Sequence, residues 1–530
     1  MRSVRVLRNV VTNYLRFFLA GLIGFIITPV LVHALGDGDY GLWVTVFSLT
    51  GYFGLFDQGI RPSLVRYVAR DHARGDNEGV ARTLSSAVAL YGALGVVTLV
   101  VTVLAAAVFT RFLRIEPAQV DAARHVILIA GLSVALGFPL GVFGATLSGL
   151  QRYDLANLIG IGVGVARALA FVIVLRLGGG LVGLAWASLT MNLVGHALSW
   201  MLVRRLLPGV RLGLRAITRE RLALIGAYSG FAFVGAFANS ITFQTDALVI
   251  TGFLGAALVT PFALAAGLVD NARSLVYSAT WVLAPTASEL ETLGETGKLH
   301  AMVIAGAKYS VLVSWPVLFA LIVFGPDLLE AWVGHRFVAG PLLRTLFDPA
   351  LWRHSTSAAP LLVWLALPTL ISLPQSAAGS VLYGVSRHRG VVVLALLNAA
   401  ANLGLSLLWV RPYGLAGVAL GTAVPLFLVG GVATMAYTCH ALRLPLARYA
   451  WQGFARPGLV TLGFLAPALA LRLLWHPAGW WALGAAVAGP WLLFVIIAWG
   501  FGLDDSERRH WGRMVPGLFG LKAAEGDVGR

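Results

Sequence analysis

Eight ionisable side chains stand inside long apolar stretches of this chain, and their types and spacing are the best clue to its chemistry. Asp57 and Arg61 are four residues apart, and Asp270 and Arg273 three apart, so each pair shares one face of a helix. Arg16, Arg167, Asp246 and Lys308 stand singly among Leu, Val, Ala and Gly, and His196 joins them as a neutral candidate. An Arg, Lys or Asp at the centre of a lipid-buried helix costs on the order of 2.5–3.5 kcal/mol on insertion scales. Such a group is kept where it faces a wet interior or a partner. Arg16, Arg61, Arg167, Arg273 and Lys308 outnumber Asp57, Asp246 and Asp270, so an interior lined by them favours an anion. Guanidinium groups offer paired donors that match phosphate. The three acids are candidates for coupling to an ion.

Each position also has a plainer explanation. Arg16 and Lys308 lie close enough to one membrane surface to snorkel out of the hydrocarbon. The two Asp–Arg pairs fit structural ion pairs within or between helices. Arg167 has no acidic neighbour on its own helix, which points it at a cavity. Asp246 ends the polar run Asn239-Ser240-Ile241-Thr242-Phe243-Gln244-Thr245-Asp246, and at least part of that run must face water or another helix.

The elements that carry these residues follow from composition. The chain has 530 residues, 58% hydrophobic and 12% charged. A soluble chain carries about a quarter charged residues. Apolar runs of membrane-crossing length recur from end to end, and about fourteen spans of roughly 20 residues are predicted. They lie near 11–35, 40–66, 84–111, 122–148, 153–176, 181–203, 222–250, 256–285, 301–325, 357–384, 390–410, 414–438, 457–474 and 479–502. Gly- and Pro-rich turns such as Gly178-Gly179-Gly180 and Pro412-Tyr413-Gly414 separate them. The first run follows Arg2, Arg5 and Arg8 without a small-residue cleavage site, and reads as an uncleaved span. A single cysteine, Cys439, leaves no disulfide framework and no Cys-rich metal site.

The net charge of +16 is explained by topology. With the N-terminus inside, the inner loops hold about 26 Lys and Arg and the outer loops about 9, the positive-inside pattern. Both termini are then cytoplasmic, and no nucleic-acid partner is needed. Three segments look interfacial: residues 1–10 with their stripe of Arg2, Arg5 and Arg8, the stretch 204–221, and the tail near 505–515. Beyond about residue 520, disorder is expected.

One phrase occurs twice. GLQRYDLANLIGIGVGVARALAFVIVLRLGGGLVGLAWA in the first half answers GVSRHRGVVVLALLNAAANLGLSLLWVRPYGLAGVALG in the second. Gly149 pairs with Gly384, Gly180 with Gly414, and Leu35-Gly36 with Leu254-Gly255. Six spans separate the copies, an even number, so the halves are parallel repeats. The expected organisation is an N-lobe over 11–203, a linker over 204–221, a C-lobe over 222–438, two further spans over 439–502 and a cytoplasmic tail over 503–530. The later offset is about 16 residues larger, which places an insertion in the outer loop 326–356. It reads as a short surface insertion with a turn or two of amphipathic helix; the alternative is part of a gate. Arg167 has no basic counterpart in the second copy, where Ala401 lies near the equivalent position.

The two copies, together with ALGDGDYGLWVTVFSLTGYFGLFDQGIRPSLVRYVAR after the first span, resemble the Wzx-like lipid-linked oligosaccharide flippases of the multidrug/oligosaccharidyl-lipid/polysaccharide exporter superfamily. The resemblance covers the first twelve spans, with the last two matching by position. It implies an all-α integral membrane protein with two six-helix lobes in a V around a basic cavity, plus two C-terminal helices. The implied cargo is a polyprenyl-diphosphate-linked glycan carried from the inner to the outer leaflet by alternating access. Membrane lipids, and a polysaccharide polymerase or export machinery, are the implied partners. Carried over, substrate binding falls on Arg61, Arg167, Arg273, Arg16 and Lys308.

No P-loop, HExxH or GxSxG occurs, so neither catalysis nor a cofactor nor ATP hydrolysis is expected. Two other classes compete. A cation-coupled drug exporter of the same superfamily would need an acidic or aromatic cavity and usually twelve spans. A multi-span glycosyltransferase, polymerase or ligase would need a large outer loop with catalytic groups; the longest here is about 30 residues, and Asp327, Glu330 and Asp348 form no pairing motif. A lipid II flippase would share the mechanism with a different sugar.

Overall fold

The computed structural model describes residues 2–227, 230–280, 282–338 and 342–509, and all regular structure within them is helical. The side chains of the predicted stripe Arg2, Arg5 and Arg8, the tip of the predicted insertion at 339–341, and the tail from residue 510 lie outside the described residues. The helices run α1 (Arg2–Gly51), α2 (Leu55–Ala73), α3 (Asn77–Phe112), α4 (Val120–Gly149), α5 (Tyr153–Arg176), α6 (Gly180–Leu206), α7 (Arg219–Ala227), α8 (Gly230–Phe253), α9 (Val259–Thr280) and α10 (Leu283–Thr292). They continue through α11 (Thr296–Val333), α12 (Leu342–Phe347), α13 (Pro349–Trp352), α14 (Ala358–Ser372), α15 (Gln375–Gly384), α16 (His388–Pro425), α17 (Thr434–Leu442), α18 (Leu446–Tyr449), α19 (Arg456–Leu474) and α20 (Gly479–Ile497). Among the described residues nine helical stretches are long and apolar enough to cross a membrane, and a tenth if α14 and α15, bent by 44°, count as one.

Several sequence-predicted spans share a continuous helical run. α1 breaks at Gly36, and α16 breaks at Gly414, each at a backbone angle outside the helical region. These breaks follow the repeat. Gly36 and Gly255 have φ of +76° and +104°, Gly75 and Gly294 both +70°, and Gly180 and Gly414 +53° and +60°. Such angles are readily adopted only without a Cβ. Gln151 and Ser386 hold φ of +57° and +56°, uncommon for residues with side chains, at equivalent places after the glycines of the repeated phrase. The offset is thus 219 at Gly75/Gly294 and 235 at Gln151/Ser386, so the added length enters between Gly294 and Ser386. The short helices α12 and α13 lie in that interval.

The chain divides into two compact units. One comprises Met1–Gly267, His335–Leu365 and Val392–Val429; the other comprises Leu268–Gly334, Ala366–Val391 and Gly430–Arg530. In the first, α4 packs on α2, α3 and α6, and α1 packs on α5 and α8. Leu64, Val68, Leu84, Tyr91, Val142 and Leu147 form its core where α2, α3 and α4 meet. In the second, α11 packs on α15, α19 and α20, with cores around Val303, Val311 and Tyr449, and around Phe324 and Phe464.

Candidate functional site

The first unit holds a cavity of about 650 Å³ built by α1, α5, α6 and α8. Its polar lining includes Arg16, Ser48, Arg167, Ser188 and Gln244, and among the described residues no carboxylate lines it. Leu19, Ile23, Trp43, Phe47 and Phe171 supply apolar walls. Trp43 fixes one wall by packing against Phe47 at 4.3 Å and edge-on against Phe171 at 5.7 Å between ring centroids. Small residues on α5 keep the space open: a Cβ on Gly160 would come within 3.0 Å of the Arg16 Nε atom.

The two cations differ. Arg16 donates from Nη1 to Asn157 Oδ1 at 3.4 Å, and the Asn157 amide donates in turn to Thr12. Arg167 forms no hydrogen bond or ion pair among the described residues. A guanidinium in an apolar-walled cavity with no acid on its lining carries most of its charge to whatever enters.

The other sequence-predicted residues go elsewhere. Arg61 lies in the same unit, within coulombic range of Arg16, and contacts Asp57 at 3.5 Å; both side chains are partly exposed. Asp57 also accepts from the Tyr91 hydroxyl at 2.6 Å. Arg273 and Lys308 belong to the second unit. Arg273 is buried, donating to Asp270 at 2.7 Å and to Thr369 at 3.0 Å, and Asp270 is largely exposed. Lys308 is 7% exposed, and its ammonium meets Glu507 at 2.6 Å. His196 lies alongside Gly137 and Gly141 of α4.

Asp246 builds a second site in the first unit. It is 4% exposed, and its Oδ2 accepts from the Thr422 hydroxyl at 2.8 Å. Asn402 Nδ2 donates to the same Thr422 oxygen at 2.8 Å, and Asn398 Nδ2 donates to Thr242 at 3.2 Å. The Oδ1 atoms of Asn398 and Asn402 are buried and have no hydrogen-bond partner among the described residues. Asp246 is thus a buried carboxylate reached by the Thr422 hydroxyl, with Asn402 on the same hydroxyl, a setting in which a carboxylate can take up a proton or a small hard cation. Sequence reasoning found Asp246 and missed Asn398, Asn402 and Thr422. The available signal was Asn398 and Asn402 four apart on one face of an apolar helix. α8 links the two sites, because Gln244 lines the arginine cavity and Asp246 the oxygen cluster. The repeat links them again. At the offset of Gln151 and Ser386, the residue equivalent to Arg167 is Asn402, one position beyond Ala401.

Beyond Gly36, α1 closes on the turn that follows α8. A Cβ on Gly41 would collide with the Ala256 carbonyl oxygen. Thr45 and Thr251 share a hydrogen bond of 2.6 Å, the Thr260 hydroxyl donates to the Asp37 carbonyl at 2.7 Å, and Arg336 pairs with the Asp37 carboxylate at 3.0 Å.

The model of a family described as "Polysaccharide biosynthesis protein" matches residues 6–291, more than half of the chain. No curated protein matches the chain with significance. Among solved structures, the lipid II flippase MurJ in an inward closed conformation is similar with a TM-score of 0.67 and 12% identity, covering 92% of this chain and 97% of that one. An inward-facing multidrug resistance MATE family transporter of the MOP superfamily gives a TM-score of 0.61 and 17% identity, covering 82% and 95%. MATE in complex with MaL6 gives 0.57 and 18% identity, covering 84% and 97%. At these identities the likeness establishes a shared fold.

Proposed function

This chain belongs to the polysaccharide biosynthesis protein family, and on that basis we propose that it is a flippase for a polyprenyl-diphosphate-linked oligosaccharide, moving it from the inner to the outer leaflet of the cytoplasmic membrane. The observation that carries the reading is the cavity with Arg16 and Arg167 on its lining and no carboxylate. A diphosphate and a hydrated glycan are excluded from hydrocarbon by the cost of desolvating charge and hydroxyls. A protein overcomes that barrier by giving the polar head a wet basic passage while the lipid tail stays in the bilayer. Arg167 receives the diphosphate, and Arg16, steadied by Asn157, adds the second guanidinium. The chain crosses the membrane fourteen times as two parallel six-helix repeats with both termini inside, and rocking of the repeats exposes the cavity to each side in turn. Arg61, Arg273 and Asp57 then serve the passage or its ion pairs. A drug exporter for cationic compounds fits less well: Trp43, Phe47 and Phe171 give the cavity aromatic walls, but its charged lining among the described residues is Arg16 and Arg167, which repel a cation.

The Asp246 cluster supplies the energy coupling in this reading. A cation or proton that binds it better in one conformation shifts the equilibrium by its differential affinity alone. α8 carries that shift to Gln244 on the cavity wall.

The test is leaflet sidedness of the lipid-linked sugar in a strain lacking the gene and any redundant flippase. Accumulation on the inner leaflet is expected, with rescue by the wild-type chain; undiminished outward exposure refutes the assignment. Asp246→Asn with intact membrane insertion is expected to abolish the dependence of transport on an ion gradient. Unchanged dependence removes Asp246 from the coupling role.

A further inference from the structure

The end of the described chain folds back onto a basic pocket that the transport reading does not use. Glu507 accepts from Lys308 Nζ at 2.6 Å, from the Tyr309 hydroxyl at 2.8 Å and from the Asp504 backbone N–H at 2.8 Å. Asp504 pairs with Arg456 at 3.1 Å and approaches Lys308 at 3.8 Å. Arg508 fastens the segment by donating to the Gly500 and Leu503 carbonyls at 2.6 and 3.0 Å. All of these groups lie in one compact unit.

Beside this knot is a cavity of about 270 Å³ lined by Lys308, Arg448, Gln452, Arg456, Asp504 and Glu507 together with apolar residues. Three cations therefore meet two carboxylates. The shortfall falls at the rim: Arg448 is held by Gln452 at 3.3 Å and contacts no carboxylate among the described residues, and Arg456 shares Asp504 with Lys308. On the adjoining helical surface Trp451, Leu459 and Leu462 are exposed, an aromatic and apolar flank of the kind that faces lipid at a membrane interface.

We propose that this cavity binds the phosphate headgroup of an anionic membrane phospholipid through Arg448, Gln452 and Arg456, and that the segment Asp504–Glu507 sets its affinity by neutralising Lys308 at its base. The pocket's size fits a phosphodiester and not a glycan. Its rim arginines are exposed, so a lipid reaches them from the bilayer, and its acyl chains lie along the apolar flank. Docking of the carboxylates withholds the third cation; their departure completes a site of three positive charges. The proposal is independent of which lipid-linked sugar the protein moves.

The test uses the full chain in nanodiscs of mixed phosphatidylglycerol and phosphatidylcholine, with retained lipid counted by native mass spectrometry after detergent release. Wild type is expected to retain phosphatidylglycerol preferentially. Arg448→Gln and Arg456→Gln should each weaken retention about fivefold. Glu507→Gln, which removes the nearer of the two carboxylates facing Lys308, should strengthen it. Retention equal to wild type in the double arginine variant, with the same elution profile, overturns the site. No gain on Glu507→Gln overturns the role of the tail. Equal retention of phosphatidylglycerol and phosphatidylcholine by the wild type, with binding of inorganic phosphate that is lost in the double arginine variant, assigns the pocket to a free anion and overturns the lipid proposal.

Discussion

Replacing Arg167 with Gln separates a binding role from a structural one, because the two predict opposite changes in stability. Arg167 has no partner among the described residues, so its charge is spent on a ligand or not at all. A charge-assisted hydrogen bond to a phosphate oxygen contributes about 1.5–3 kcal/mol. With tenfold per 1.4 kcal/mol, Arg167→Gln should weaken apparent affinity for the lipid-linked diphosphate by about tenfold to about a hundredfold. Arg16→Gln should cost less, near the lower end, since Arg16 already donates to Asn157. The free protein should not suffer. An uncompensated guanidinium in the membrane costs on the order of 2.5–3.5 kcal/mol, and removing it relieves part of that. The thermal midpoint of the purified variant is therefore expected to stay level or rise. The assay pairs substrate-concentration dependence of translocation in proteoliposomes with a thermal unfolding scan in the same detergent. Wild-type affinity in a fully inserted Arg167→Gln protein refutes the binding role. A midpoint several degrees lower shows that Arg167 holds the fold together.

Three further outcomes are expected. Gly41→Leu cannot pack against the Ala256 carbonyl, so it should abolish efficient disulfide cross-linking between cysteines placed at Thr45 and Thr251, which in the parent lie in hydrogen-bond contact; undiminished cross-linking would show that Gly41 is not needed for that closure. Asp71→Ala should destabilise the protein by about 3 kcal/mol, read as a lowered unfolding midpoint, because Asp71 is 2% exposed and its removal strands Arg221 of α7 at 13% exposure. Glu507 responds to acid: burial pushes its carboxyl up, but the hydrogen bonds from Lys308, the Asp504 backbone and Tyr309 prevail and hold it below the ordinary 4.5. A group with a depressed folded value stabilises above its unfolded value and loses that contribution as pH falls through the folded one. A fluorophore on Ser506→Cys should therefore report a docked tail from neutral pH down to about 4.5 and release only below it, whereas release near pH 6 would contradict the pairing.

Much of the candidate site was legible because charge is conspicuous in an apolar sequence. Arg16 and Arg167 stood out for what they cost in lipid, and they line one cavity. Arg273 and Lys308 stood out equally, yet each has its own acid in the second unit, Asp270 for one and Glu507 for the other. Glu507 is 199 residues from Lys308, and no local spacing could have paired them. Asn398, Asn402 and Thr422 escaped notice because neutral polar residues are cheap enough in helices to carry no alarm, and they matter only once α16 lies against α8.

The sequence by itself determined the elements and their symmetry. Apolar runs dictate helices, because in hydrocarbon each backbone group must find its partner within the segment. The repeated glycines dictate where those helices break, since only a residue without Cβ readily takes the left-handed angles shared by Gly36 and Gly255, Gly75 and Gly294, and Gly180 and Gly414. The tertiary structure alone decided which charges meet a cavity and which meet one another. A helical repeat tells which residues share a face; it does not tell which neighbour that face will find. Arg167 without a partner among the described residues, Lys308 neutralised by Glu507, and Asp246 bonded to Thr422 are all consequences of packing between segments distant in sequence.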